Sequence, residues 1–180
     1  MRSGTGGTLA KLVCTELPDD LYERLRGDRP EEYAGKAILL STVDAEGWPH
    51  PAMLSHFEVV APDRRNLRLA AYAGSSTAEN MRRRAVATLS VIDERLAYYV
   101  KGRVEELRRE MGSSPHNSSF NLRVERVLAD EANEEYEAGA YVSGGVTYRN
   151  PYPAAEAEKG RAVIRELVEG WPGGDSRPRG

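Results

Sequence analysis

The chain has 180 residues, enough for one domain with a proper core. Apolar residues make up 40% and charged residues 29%, which excludes disorder throughout. With 28 acids against 25 bases the net charge is −3, which argues against a protein that works by binding phosphate backbones nonspecifically.

No apolar run approaches the roughly 18 to 20 residues that span a bilayer, and the opening MRSGTGGTLAKLV has too short an apolar core for a secretory signal. A soluble, cytoplasmic protein is expected, with no membrane or nucleic-acid partner. Cys14 is the only cysteine, so no intrachain disulfide is possible, and it reads as a buried, inert thiol. The opening SGTGGT lacks the Lys-Ser/Thr end of a phosphate loop. Residues 1–16 are therefore expected to be a flexible N-terminus, 17–170 a single domain including a C-terminal helix, and 171–180 a loose tail.

The first helical signal follows Pro18, with Leu17, Leu21 and Leu25 on one face and Gly27 as its stop. Ala37 to Val43, the turn Asp44-Ala45-Glu46-Gly47 and the run Pro49 to Val60 read as a β-hairpin. In the second run the alternation puts Met53, Ser55, Phe57 and Val59 on one face, and Ala52, Leu54, His56 and Glu58 on the other. Leu67 to Tyr72 is a third strand. A short helix follows, where Ser76 and Glu79 have the spacing of a capping box. Val86 to Ile92, Ala97 to Leu107 and a strand from Phe120 to about Leu128 complete six strands, whose short spacing suggests an antiparallel barrel. Asp130 to Glu137 carries five acids and no base and reads as a solvated connection. Val163, Ile164, Leu167 and Val168 lie at helical spacing, so Pro153 to Glu169 is an amphipathic helix.

The residues show no self-contained active site: the sequence has no H-x-x-x-H, no C-x-x-C and no G-x-S-x-G. His50 and His56, six apart in one expected strand, would sit about 20 Å apart and cannot share a metal ion. No metal site and no catalytic residue is assigned. Gly74, Ser75, Ser76 and Thr77 put small residues and hydroxyls at a helix N-terminus, which suits either an anion or an ordinary N-cap. Arg82, Arg83 and Arg84 are about 100° apart around the helix and suit its C-terminus.

The order of segments carries more. ILLSTVDAEGWPHPAMLS, then NLRLAAYAGSSTAENMRRRAVATLSVID, then AYYVKGRVEEL resemble the pyridoxamine 5′-phosphate oxidase-like family of FMN-binding split barrels, over about Ala37 to Leu128. That resemblance implies a mainly β, six-stranded antiparallel split barrel that forms a homodimer and holds FMN at the subunit interface. It places Met53, Leu54 and Ser55 along the isoalloxazine ring and Tyr72 beside it, with Ser75, Ser76, Thr77 and Asn80 at the phosphate. Ala52 and Thr77 stand where relatives that bind FMN tightly carry cations, so weak FMN binding is expected. The segment VTYRNPYP stands in place of the Arg-x-His element that binds the vitamin B6 substrate.

The reading implied is a flavin-dependent oxidoreductase of small molecules, with hydride moving through the flavin N5. A noncatalytic flavin or haem carrier or sensor, and a deazaflavin-dependent reductase, are the alternatives.

Overall fold

A computed structural model describes residues 10–132, 135–151 and 153–169. The expected tail 171–180 and the first nine residues lie outside them. All strands form one antiparallel sheet: β1 (Ala10–Cys14), β2 (Ala37–Val43), β3 (Pro49–Ser55), β4 (Val59–Asp63), β5 (Asn66–Tyr72), β6 (Val86–Asp93), β7 (Leu96–Arg108) and β8 (Asn117–Asp130). Helices α1 (Asp19–Leu25), α2 (Ser76–Arg84) and α3 (Pro153–Glu169) flank it.

The path through the sheet is β3-β2-β6-β7-β8-β5-β4, with β1 added to β8. Strands β3 and β4 end that path on opposite sides, yet only residues 56–58 join them in sequence. Those few residues reach at most about 14 Å, whereas six flat strand spacings would separate the ends by about 29 Å. The sheet must curl until its two edges approach, and this makes the split barrel.

The inward faces follow the pattern of two. Ala87, Leu89, Val91 and Asp93 of β6, and Ile38, Leu40 and Thr42 of β2, are buried while the residues between them are less so. The apolar ones pack with Leu17, Leu21 and Leu25 of the α1 segment, Met81 of α2 and Phe120 and Leu122 of β8. Gly102 sits at a β-bulge in β7, where an added Cβ would lie 2.2 Å from the Arg123 carbonyl oxygen. A second cluster, Phe57, Val60, Ala70, Met111, Val163, Ile164 and Leu167, fastens α3 to the outside of β4 and β5. Arg68 donates to the carbonyls of Leu167 and Val168 at the end of α3.

Three expectations are corrected. Among the described residues there are eight strands rather than six, partly because the run Pro49 to Val60 breaks after Ser55. The Glu58 amide bonds the Ser55 carbonyl (3.1 Å) and the Ser55 amide bonds Glu58 Oε2 (2.7 Å), closing a turn that ends the alternation. Within the expected flexible terminus, Ala10–Cys14 forms β1 and pairs with β8. The N-cap of α2 is Ser75, not Ser76: Ser75 Oγ accepts from the Ala78 amide (3.2 Å), and Glu79 instead pairs with Arg83.

Candidate functional site

Strand β3 is one open edge of the sheet, and its prolines show which way its backbone points. Pro49 and Pro51 lack N–H groups, so this alternate set of residues faces away from β2 without cost to the ladder. Two further bonds agree: the Ser55 amide turns to Glu58, and the Ala37 amide, opposite Ser55, turns away to the Val146 carbonyl (2.9 Å). The same alternation aims the Met53 N–H and C=O at the open edge. Its side chain is 65% exposed, while Leu54 points inward and is buried.

Two cavities are strung along this strand. The first, about 660 Å³, lies where His50 of β3 meets the start of α2 and includes Gly74, Ser75, Ser76 and Asn80. Ser75 Oγ is occupied, because besides capping α2 it donates to the Tyr72 carbonyl (2.7 Å). The amides of Ser76 and Thr77 lie in the first turn, where helix geometry leaves N–H groups without intrahelical partners. Asn80 is buried and donates to Thr42 Oγ1 (3.1 Å), which ties α2 to β2.

Thr77 is 6% exposed and does not line the cavity. Its side chain is buried at the start of α2. Cations stand elsewhere on the wall: Arg82, Arg83 and Arg109. Arg82 is committed to the protein, donating to Glu106 (2.7 Å), Ser118 Oγ (2.8 Å) and the Ala73 carbonyl (3.1 Å). The hydrogen bond from Arg82 holds the Glu106 carboxyl below its ordinary range. Arg83 and Arg109 are exposed, with ion-pair contacts of 3.4 Å to Glu79 and 4.0 Å to Glu106. Arg84 turns aside to the carbonyls of Asp44 and Ala45 and braces the β2–β3 turn.

The second cavity, about 740 Å³, lies further along β3. Met53, Leu54 and Ser55 form one wall, Asn117 and Ser114 another, and α3 the roof. Glu58 faces it with Oε2 held by the Ser55 amide and hydroxyl (2.7 and 2.9 Å), and burial pushes its carboxyl pKa up. Tyr148 is fixed by its amide bond to the Gly35 carbonyl, and its hydroxyl donates to Glu156 Oε1 (2.7 Å). Burial first, and then the bond to Glu156, push the phenol pKa well up. Tyr72 lies between the two cavities. It precedes Ala73 of the first, pairs in register with Asn117 of the second, and is 61% exposed against His116.

Of the eight residues expected at the site, Met53, Leu54 and Ser55 thus meet at one cavity, Ser75, Ser76 and Asn80 at the other, Tyr72 stands between, and Thr77 is apart. Sequence reasoning missed Glu58, Glu156 and Arg109 as parts of these walls. Tyr148 lay in the segment noted for lacking Arg-x-His, and a tyrosine between basic and proline residues was its only local signal.

His56, expected on the same strand face as His50, is buried elsewhere. Its Nε2 accepts from Arg24 Nε (3.2 Å), so Nδ1 carries the proton and donates to the Lys36 carbonyl (3.3 Å), while Tyr33 stacks on the ring. Cys14 is half-buried and donates to the Glu16 carbonyl. Among the described residues no helix is long and apolar enough to cross a membrane.

Comparison with known proteins agrees with this architecture. A Bacillus subtilis (strain 168) protein, the uncharacterized YclD, is 32% identical over 116 residues, covering 64% of this chain and 75% of YclD. A proposed pyridoxamine 5′-phosphate oxidase of Lactobacillus delbrueckii superposes with a TM-score of 0.51 at 19% identity, covering 66% of this chain and 98% of that one. A HupZ variant of Group A Streptococcus gives 0.50 at 14% identity, covering 63% and 98%. These two likenesses show the fold. The pyridoxamine 5′-phosphate oxidase family model matches residues 34–165, most of the described chain, and the protein therefore belongs to the pyridoxamine 5′-phosphate oxidase-like family.

Proposed function

We propose that the protein is an FMN-dependent oxidoreductase that works on a small molecule as a homodimer. The observation that carries this reading is the succession along β3 of a polar cavity at a helix N-terminus and a largely apolar one beside an open strand edge. A molecule with a phosphate at one end and a flat aromatic ring at the other matches that succession.

The residues fit such a group. The first turn of α2 offers amides to an anion, with Arg83 and Arg109 adding positive charge nearby. The Met53 N–H and C=O offer one donor and one acceptor to a ring edge, and Leu54 supplies an apolar surface beneath it. When bound, a flavin supplies hydride or single-electron transfer. The protein's part is to hold it in register, keep water from it and position a second molecule against it.

The dimer reading rests on exposed apolar side chains at this edge. Helix α3 covers Phe57, Val60 and Ala70 but leaves Met53 at 65% and Trp48 at 70% exposed. A second copy covering them would also shield the cavities from water.

The test is a titration of gently purified protein with FMN, a deazaflavin and haemin, followed by absorbance and calorimetry. Saturable FMN binding with bleaching on reduction, and reoxidation by an added organic acceptor, is the expected result. FMN binding with no turnover of any donor or acceptor would favour the noncatalytic carrier. Preference for the deazaflavin or haemin would replace FMN as the ligand.

A further inference from the structure

The cavity roofed by α3 extends beyond the strand edge assigned to a flavin ring, and its far wall carries groups that a flavin does not need. Leu54, Phe57 and Val163 make that part apolar. Its volume, about 740 Å³, is that of a small-molecule pocket. Glu58 and Glu156 both face it, one from the turn between β3 and β4 and one from the first turns of α3.

We propose that this is a substrate pocket and that Glu58 and Glu156 select an organic cation, an apolar ring-bearing molecule with a protonated amine. Calling the occupant a substrate rests on the flavoenzyme reading; the recognition of a cation does not.

The hydrogen-bond inventory of the wall argues for this class. Both bonds from Ser55 fall on Oε2 of Glu58, so Oε1 is the oxygen left for a ligand. The Tyr148 hydroxyl has given its proton to a bond with Glu156, so it presents only its oxygen lone pairs to a newcomer. At Glu58 and Tyr148 the wall thus offers acceptors, and an ammonium has three donors and no acceptor; the side chains of Asn117 and Asn150, which carry both donor and acceptor, also line the cavity.

Charge points the same way. Two carboxyl groups beside apolar side chains pay a desolvation cost that a cation between them relieves. Among the described residues Lys159 is the one basic side chain lining the cavity, and it is exposed on α3, three residues beyond Glu156. An anionic ligand would meet both carboxyl groups and gain only that exposed ammonium.

The pocket also has rigid walls. An added Cβ on Gly160 would lie 2.4 to 2.6 Å from atoms of Phe57, so α3 is seated as closely as a helix can be. Glu166 accepts from the Gly112 and Ser113 amides (2.9 and 2.7 Å), and Arg161 pairs with Glu31, which hold the same helix on two other sides. The carboxyl groups are therefore presented from a fixed frame, as discrimination between ligand charges requires.

The test uses the full chain, with and without FMN, and three probes of one shape: 1-naphthylmethylamine, 1-naphthalenemethanol and 1-naphthoate. By calorimetry the amine should bind at least ~tenfold more tightly than the alcohol, and the naphthoate more weakly than either. Glu58→Gln and Glu156→Gln, which keep shape and lose charge, should each remove most of the amine's advantage. They should leave alcohol binding within ~twofold, a change below ~0.5 kcal/mol, and Glu156→Gln should leave the FMN titration unchanged. Val163→Trp, which fills the apolar end, should abolish binding of amine and alcohol alike while the melting temperature reports that the variant is folded.

The proposal is overturned if the alcohol or naphthoate matches the amine, if both Gln variants retain the amine's full advantage, if no probe binds, or if folded Val163→Trp still binds the amine. FMN binding without amine binding would remove this pocket assignment and leave the flavoprotein reading. Amine binding without FMN binding would do the reverse.

Discussion

At the scale of single residues, His56 makes acid stability measurable. Burial, and then the neighbouring Arg24, lower its pKa from 6.5 to about 4. The unfolded chain therefore takes up this proton at a higher pH than the folded chain does. Between about pH 6.5 and 4 the unfolded state holds more protons, so stability is lost as pH falls through that window and levels off below it. The shift corresponds to about 3 kcal/mol. Urea unfolding between pH 4 and 7 should show this loss, and His56→Gln should flatten the slope. Asp93, beside the same arginine, behaves differently: burial opposes its charge, but bonds from Lys36 and Arg24 outweigh this and hold it well below the usual carboxylate range. Around the polar cavity, Arg83→Ala and Arg109→Ala should each weaken FMN binding by up to ~tenfold and reduce its salt dependence, as loss of a charged hydrogen bond would. Thr77→Lys, which the sequence alone would suggest as a gain, should instead destabilise the fold without tightening FMN binding, because the ammonium would enter the core. Calorimetry against a salt series, with melting temperatures for each variant, checks all three.

Among the elements, α3 depends on one atom's width. Gly160→Ala should lose about 1 to 2 kcal/mol in urea unfolding, because overpacking against Phe57 exceeds the ~1 kcal/mol that alanine gains over glycine within a helix. Faster proteolysis between β8 and α3 would show that the helix is the part released. The elements also show what a sequence can reveal about such a fold. Strands β2 and β6 were legible because one of their faces is buried throughout, and α3 because Val163, Ile164 and Leu167 form its buried stripe. The break after Ser55 was not, since Phe57 and Val59 continue the alternation and only the Glu58 contact with Ser55 ends the strand. Nor was β1: it is a short strand with Leu12 and Val13 exposed, and its partner lies more than a hundred residues away. The turn at the start of α2 was readable as a local signal, whereas Arg109, Tyr148 and Glu156 reach the cavities from elements distant in sequence and have no local mark.

For the whole molecule, the expected state is a dimer that Met53→Glu dissociates, since the substitution puts a charge into the surface a second copy would bury. Light scattering at micromolar concentration checks this, and a wild-type monomer would remove the shared-edge reading. The short spacing of the strands was enough to suggest a barrel, and the family resemblance carried by the order of segments implied its split form. The long-range pairings were not indicated, and one of them bears on how the protein is made. Strand β8 pairs with β1, β5 and β7, so much of the sheet is organised about residues 117–130. Ala10 waits for Asp130, 120 residues later, which at about 5 to 20 residues per second is some 6 to 24 s of synthesis. Throughout that interval β1 has no partner, and once β5 is made it can pair with β4 on one side but has no neighbour on the other. The barrel cannot be completed from its beginning forward as it leaves the ribosome; it closes only when β8, which joins β1, β5 and β7, arrives.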